Sequence, residues 1–161
     1  MLPNGIIGHL YGPLEGRWND NFLLTESGLL DCLAQFAYRS ETNEDTPVED
    51  CYLQIFGDSA YQNGPHIMSP FAGVGQRSDA EKEWNAEMSV VRIEVEHGFG
   101  IVSNTWPFLN TSWKMHLYSS PVGRYYQVGI LLTNGLNCLH PNQVSQYFDC
   151  LPLTLSEYLH A

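Results

Sequence analysis

Three carboxylates stand where a chain could use them for chemistry on phosphates. Asp58 follows the apolar run 51–56 directly after Gly57, and in open α/β sheets functional groups gather at the carboxyl ends of strands. Glu96 lies in the stretch 90–100, Val-Val-Arg-Ile-Glu-Val-Glu-His-Gly-Phe-Gly, apolar along one helical face yet carrying Arg92, Glu94, Glu96 and His97. On a helix Glu94 and Glu96 point roughly 200° apart, so only one of them can face a given site. Asp20 precedes the apolar-periodic stretch that opens at Phe22. Carboxylates from separate elements that meet at one point bind hard divalent cations such as Mg²⁺ or Mn²⁺. A pair of such ions about 4 Å apart activates a water or a 3′-hydroxyl and stabilises the leaving oxygen in phosphoryl transfer. Each acid also has a structural reading. Asp58 suits a turn whose side chain bonds nearby backbone. Glu94 and Glu96 suit a solvent face paired with Arg92 or Lys82, and Asp20 suits an N-cap or first helical turn.

The elements that would carry these acids can be read from apolar spacing. Residues 5–12 form a strand that stops at Pro13, followed by a turn at 15–20. Residues 21–37 fit a helix, with Phe22, Leu23, Leu29, Leu30, Leu33, Phe36 and Ala37 at three- and four-residue spacing. Residues 40–50 are acidic with almost no apolar side chain, an expected surface loop or insertion. A strand at 51–56 is followed by a Gly-, Pro- and Ser-rich loop at 62–79. A long helix is expected from about residue 80 to 109, broken near Gly98 or Pro107, with Met88, Val91, Val95 and Phe99 on one stripe. A second apolar helix spans 122–139, and 151–159 closes the chain as a short packing segment. Strands interleaved with helices give an α/β class, though only two or three strands can be read.

At 161 residues and 43% hydrophobic the chain has enough apolar surface for one folded domain. It has no apolar run of the roughly 18 residues that cross a bilayer and no secretory leader at Met1–Gly5, so a soluble, non-secreted protein with no membrane partner is expected. Cys32, Cys51, Cys138 and Cys150 form no C-x-x-C pair, which argues against zinc and for free thiols. Seven Lys and Arg against eighteen Asp and Glu give a net charge of -11. The basic footprint of a nucleic-acid-binding domain is therefore missing, and a DNA-directed role would rest on metal ions, on a further segment or on a partner.

Several stretches in order resemble one family. Pro3-Asn4-Gly5-Ile6-Ile7, then Gly12-Pro13-Leu14-Glu15-Gly16-Arg17 with Asp20, resembles the P-[DN]-G-[LI]-I…G-P-[VL]-E-G-R-x-x-D segment of the Harbinger-type transposases and their domesticated relatives. Ser27-Gly28-Leu29, Gly57-Asp58-Ser59-Ala60-Tyr61 and Ile67-Met68-Ser69-Pro70-Phe71 are similar to the S-G-L, G-D-S-[GA]-Y and L-x-[TS]-P-[YF] that follow there. Trp84-Asn85 and the run Arg92 to Gly100 resemble F-N…R-x-x-[VI]-E-x-x-F-G, and Asn137-Cys138-Leu139-His140 resembles the closing C-x-L-H-N, with Pro141 in place of the Asn. The resemblance implies a DDE superfamily endonuclease with an RNase H-like fold, a divalent metal cofactor, DNA as substrate and residence in the nucleus. It implies catalytic roles for Asp58 and Glu96, and metal binding by Asp20, Asp58 and Glu96. Glu94 falls where the family varies and is expected at the surface.

The same resemblance puts the family's first catalytic Asp, on the first strand of the sheet, upstream of the segment at which Met1 stands. Residues 1–161 are therefore expected to form a single, N-terminally truncated nuclease domain with the insertion at about 40–50, weakly active or inactive by itself. After Phe99-Gly100 relatives carry several Lys and Arg, whereas Ile101–Thr105 is neutral here. That departure favours a separate DNA-binding partner protein, or a non-catalytic remnant serving as a protein-interaction scaffold. An unrelated acidic enzyme built on His97 or Cys138 lacks an orienting group at useful spacing.

Overall fold

A computed structural model describes residues 1–14, 17–43, 45–47, 50–73, 75, 77–110 and 121–160. The first two residues of the turn expected at 15–20, Glu15 and Gly16, and part of the acidic segment, at 44, 48 and 49, lie outside the described residues. The elements run α1 (Asp20–Glu26), α2 (Leu29–Phe36), β1 (Ile55–Phe56), β2 (Ile67–Met68), α3 (Asp79–Thr105), a 3₁₀ turn at Pro107–Leu109, α4 (Val122–Leu139), α5 (Gln143–Tyr147) and α6 (Leu155–Leu159). This is a helix-rich mixed fold with a small parallel sheet, compatible with the expected α/β class. Two compact units divide it: Leu14–Arg92, and Met1–Pro13 with Ile93–Ala161. The division falls inside α3.

In the Leu14–Arg92 unit, the helix expected at 21–37 is interrupted. Gly28 adopts φ 65 between α1 and α2, a left-handed conformation that glycine takes without a Cβ penalty. Strand β1 forms where expected but only over Ile55–Phe56. Its partner β2 arises inside the stretch read as loop, with Ile55 opposite Ile67 and Phe56 opposite Met68. Composition hid it, because an apolar pair between Pro65 and Pro70 offers no alternation to read. Ile67 and Met88 are buried in this unit. Asn85 on α3 exchanges two hydrogen bonds with one residue, accepting from Phe71 N–H at 2.8 Å and donating to Phe71 C=O at 3.2 Å. The described part of the acidic stretch is mostly exposed, as expected, and turns at Asn43, whose Oδ1 accepts from Asp45 N–H at 3.0 Å.

The other unit holds the cluster Val102, Leu109 and Ile130, with Ile7, Trp106 and Tyr125 against it. Helix α4 occupies the expected 122–139. The strand expected at 5–12 does not form. Asparagine side chains take the place of a neighbouring strand: Asn134 Oδ1 accepts from Ile7 N–H at 2.9 Å and its Nδ2 donates to Ile7 C=O at 3.1 Å, while Asn137 Nδ2 donates to Gly5 C=O at 2.8 Å. The segment is held against a helix, with both peptide groups of Ile7 and the Gly5 C=O satisfied by amides rather than by a ladder.

Helix α3 runs unbroken through Gly98 and stops at Thr105, just before Trp106-Pro107. A helix cannot place a proline in its interior without losing a bond and clashing with the turn before. Gly98 is buried, and a Cβ there would overlap the Met1 side chain. Of the expected stripe Met88 is buried and Val91 and Val95 are half-buried, but Phe99 departs from it at 63% exposure. Phe99 instead lines an apolar cleft of about 480 Å³ with Tyr11, Pro13, Tyr126 and Ile130.

Candidate active site

The geometry around Asp58 starts from Gly57. A Cβ on that residue would stand 3.0 Å from Tyr61 Cδ2, 3.0 Å from Ser69 Oγ and 3.1 Å from Ile67 Cδ1. Glycine lets β2 and the Tyr61 ring close over the end of β1. The chain then turns: Asp58 Oδ1 accepts from Ala60 N–H at 2.8 Å, and Tyr61 N–H donates to Asp58 C=O at 3.2 Å. This turn belongs to the connection between two parallel strands, so Asp58 sits at the carboxyl end of β1, half-buried. The Asx-turn reading and the functional reading therefore hold together, because the bond to Ala60 orients the carboxylate and leaves most of its lone-pair sites open.

Asp20 is the first residue of α1. The N-cap is Asn19, whose Oδ1 accepts from Phe22 N–H at 2.8 Å, so Asp20 is a first-turn acid beside the cap. Asn21 Nδ2 donates to Ala60 C=O at 2.6 Å and ties α1 to the Asp58 turn. Tyr61 reports that the two acids share one neighbourhood. Burial pushes its pKa up from 10.0, the negative charges of Asp20 and Asp58 push it further the same way, and the Arg92 guanidinium opposes them. Asp20, Asp58, Tyr61 and Arg92 all belong to the Leu14–Arg92 unit. The Asn21–Ala60 bond links the first turn of α1, which carries Asp20, to the turn that carries Asp58.

Glu96 lies on α3 in the other unit and is exposed. Glu94, expected at the surface, is instead buried at 7% exposure. Its Oε1 stands 3.5 Å from His97 Nδ1, one helical turn away, and its Oε2 has no partner among the described residues. His97 Nδ1 is in turn 3.0 Å from Gln143 Nε2 on α5. The correction has a geometric cause: with Met88, Val95, Gly98 and Val102 turned inward, Glu94 flanks the buried stripe and Glu96 falls on the open side. The solvent-face pairing expected with Lys82 does not form, since Lys82 pairs with Asp79 at 2.8 Å. Among the described residues no three His, Cys, Asp or Glu side chains gather as a group that could hold a metal ion.

The sequence assigns no role to Tyr61 or Asn21, and gives Arg92 only that of a surface partner for Glu94 or Glu96. Tyr61 was visible inside the Gly57–Tyr61 motif, and Arg92 stands one helical turn before Glu96. Nothing in the chain marks Asn21, whose acceptor is a backbone carbonyl far along the sequence. All four cysteines are free thiols, as expected. No helix among the described residues is long and apolar enough to cross a membrane.

No curated protein and no solved structure matches the chain. The DDE superfamily endonuclease profile matches residues 1–134. That span contains Asp20, Asp58, Tyr61, Arg92 and Glu96, and it covers most of the 161 residues: this chain belongs to the DDE superfamily endonuclease family.

Proposed function

We propose that this chain is a Harbinger-type, transposase-derived nuclease domain that acts on DNA phosphodiesters with Mg²⁺ or Mn²⁺. In this reading residues 1–161 form one RNase H-like domain, with an acidic surface insertion near 40–50. The observation that carries it is the Asp58 turn at the carboxyl end of a parallel strand, tied by the Asn21–Ala60 hydrogen bond to the helix turn that bears Asp20. Mg²⁺ is commonly held by one or two carboxylates, with waters and substrate phosphate completing its shell. The aspartate pair fits that donor set for one hard cation, although no three-ligand group stands among the described residues.

Asp58 and Asp20 would hold the cation, and Glu96, exposed on α3, matches the family's catalytic glutamate by motif. Bound divalent ions supply activation of the attacking oxygen and stabilisation of the leaving one. The chain's own contribution is placement. Gly57 admits the close approach, the Ala60 N–H aims the Asp58 carboxylate, and the negative charges of Asp20 and Asp58 add to burial in keeping the Tyr61 hydroxyl protonated. A net charge of -11 repels a phosphate backbone, so bound cations and a separate DNA-binding partner protein in the nucleus would have to supply the attraction.

Calorimetric titration of Mn²⁺ into the chain and into Asp58→Asn tests this. Saturable binding by the wild type that the substitution removes is the expected result. A folded wild-type chain that takes up no Mn²⁺ overturns the reading.

A further inference from the structure

One relay joins the two aspartates. Ala60 is bonded on both sides: its N–H donates to Asp58 Oδ1 at 2.8 Å, and its C=O accepts from Asn21 Nδ2 at 2.6 Å. Asn21 is the residue next to Asp20 in the first turn of α1. The Asp58 carboxylate is therefore linked through a single residue to the backbone that carries the Asp20 carboxylate.

Helix α1 has seven residues and no buried residue. A helix this short is not stable alone; Phe22, Leu23 and Leu24 are half-buried and Phe22 stacks on Trp18 with ring centroids 4.2 Å apart, packing that holds the helix without tying it to the 58–61 turn. Its N-cap bond from Phe22 to Asn19 is internal and sets no position relative to the rest of the unit. Among the described residues, the Asn21 amide makes the hydrogen bond that joins α1 to the 58–61 turn.

We propose that Asn21 is a positioning residue for the Asp20–Asp58 pair. Its side-chain amide sets the separation of the two carboxylates, and so the affinity of the pair for a divalent cation. The inference rests on the metal-site reading above. Asn21 touches neither cation nor substrate; it acts through Asp20.

The test is Mn²⁺ calorimetry on the wild type, Asn21→Ala, Thr25→Ala and Asp58→Asn. Thr25 is the control within α1: its hydroxyl donates to Asn21 C=O at 3.0 Å, and removing it leaves the Asn21–Ala60 bond in place. Asn21→Ala should weaken Mn²⁺ binding by roughly threefold to tenfold, the equivalent of one net hydrogen bond. Thr25→Ala should bind as the wild type does. Unchanged affinity in Asn21→Ala, or an equal loss in Thr25→Ala, overturns the positioning role. It does so without touching the metal-site reading, provided Asp58→Asn still removes binding. A wild type that binds no Mn²⁺, or an Asp58→Asn variant that binds normally, overturns both.

Discussion

Replacing Asn134 with Ala removes the side chain that stands in for a neighbouring strand along the N-terminal segment. Asn134 is 2% exposed. It makes three side-chain bonds within its unit: from Ile7 N–H at 2.9 Å, to Ile7 C=O at 3.1 Å and to the Tyr158 hydroxyl at 3.1 Å. Each such bond contributes about 0.5–1.5 kcal/mol net, and an orphaned buried partner costs more than the bond gained. Ile7 is only half-buried, so water reaches part of what the amide leaves behind. The expected loss is about 2–4 kcal/mol, large against the roughly 5–15 kcal/mol that holds a typical domain. Urea unfolding followed by circular dichroism reads it as a lower midpoint at unchanged slope. Asn137→Ala is the internal scale. Asn137 has one bond, to Gly5 C=O at 2.8 Å, so about 1 kcal/mol is expected. A loss below about 0.5 kcal/mol for Asn134→Ala, or one no larger than for Asn137→Ala, refutes the argument that amides replace a ladder here.

Two further outcomes follow from named contacts. A Cβ at Gly123 would overlap the Pro13 ring, which cannot rotate away; Gly123→Ala should therefore destabilise by about 1–3 kcal/mol despite its better helix propensity, measured by the same unfolding assay. At the start of α3, Glu81 Oε2 accepts from Ser78 N–H at 2.7 Å and from Ser78 Oγ at 2.9 Å. The backbone bond first, and the hydroxyl bond second, hold its pKa below the ordinary 4.5. A carboxylate depressed in this way stabilises the fold above its unfolded value and ceases to do so as pH falls through its folded value. The wild type should lose unfolding midpoint over that acidic window more steeply than Glu81→Gln, and parallel pH profiles for the two would contradict it.

Much of the candidate site was written in the chain. The Gly57-Asp58 pair after an apolar run specified an acid at a strand end, and β1 formed there. The apolar spacing of 122–139 specified α4, and Pro107, one of the two breaks expected in the long helix, is where α3 stops, while Gly98 is passed without one. These are local effects of periodicity and of proline sterics, which need no partner to act. The strand expected at 5–12 fails for the opposite reason. Apolar side chains there ask only for burial, and whether a ladder or a pair of asparagines satisfies the backbone depends on what lies alongside. Glu94 and Glu96 make the same point at the scale of one helix. The sequence determined that they point apart, because each residue turns the helix by about 100°. Which of them is buried was decided only by the side of α3 that packs, and the same is true of the bond that reaches from Asn21 to Ala60.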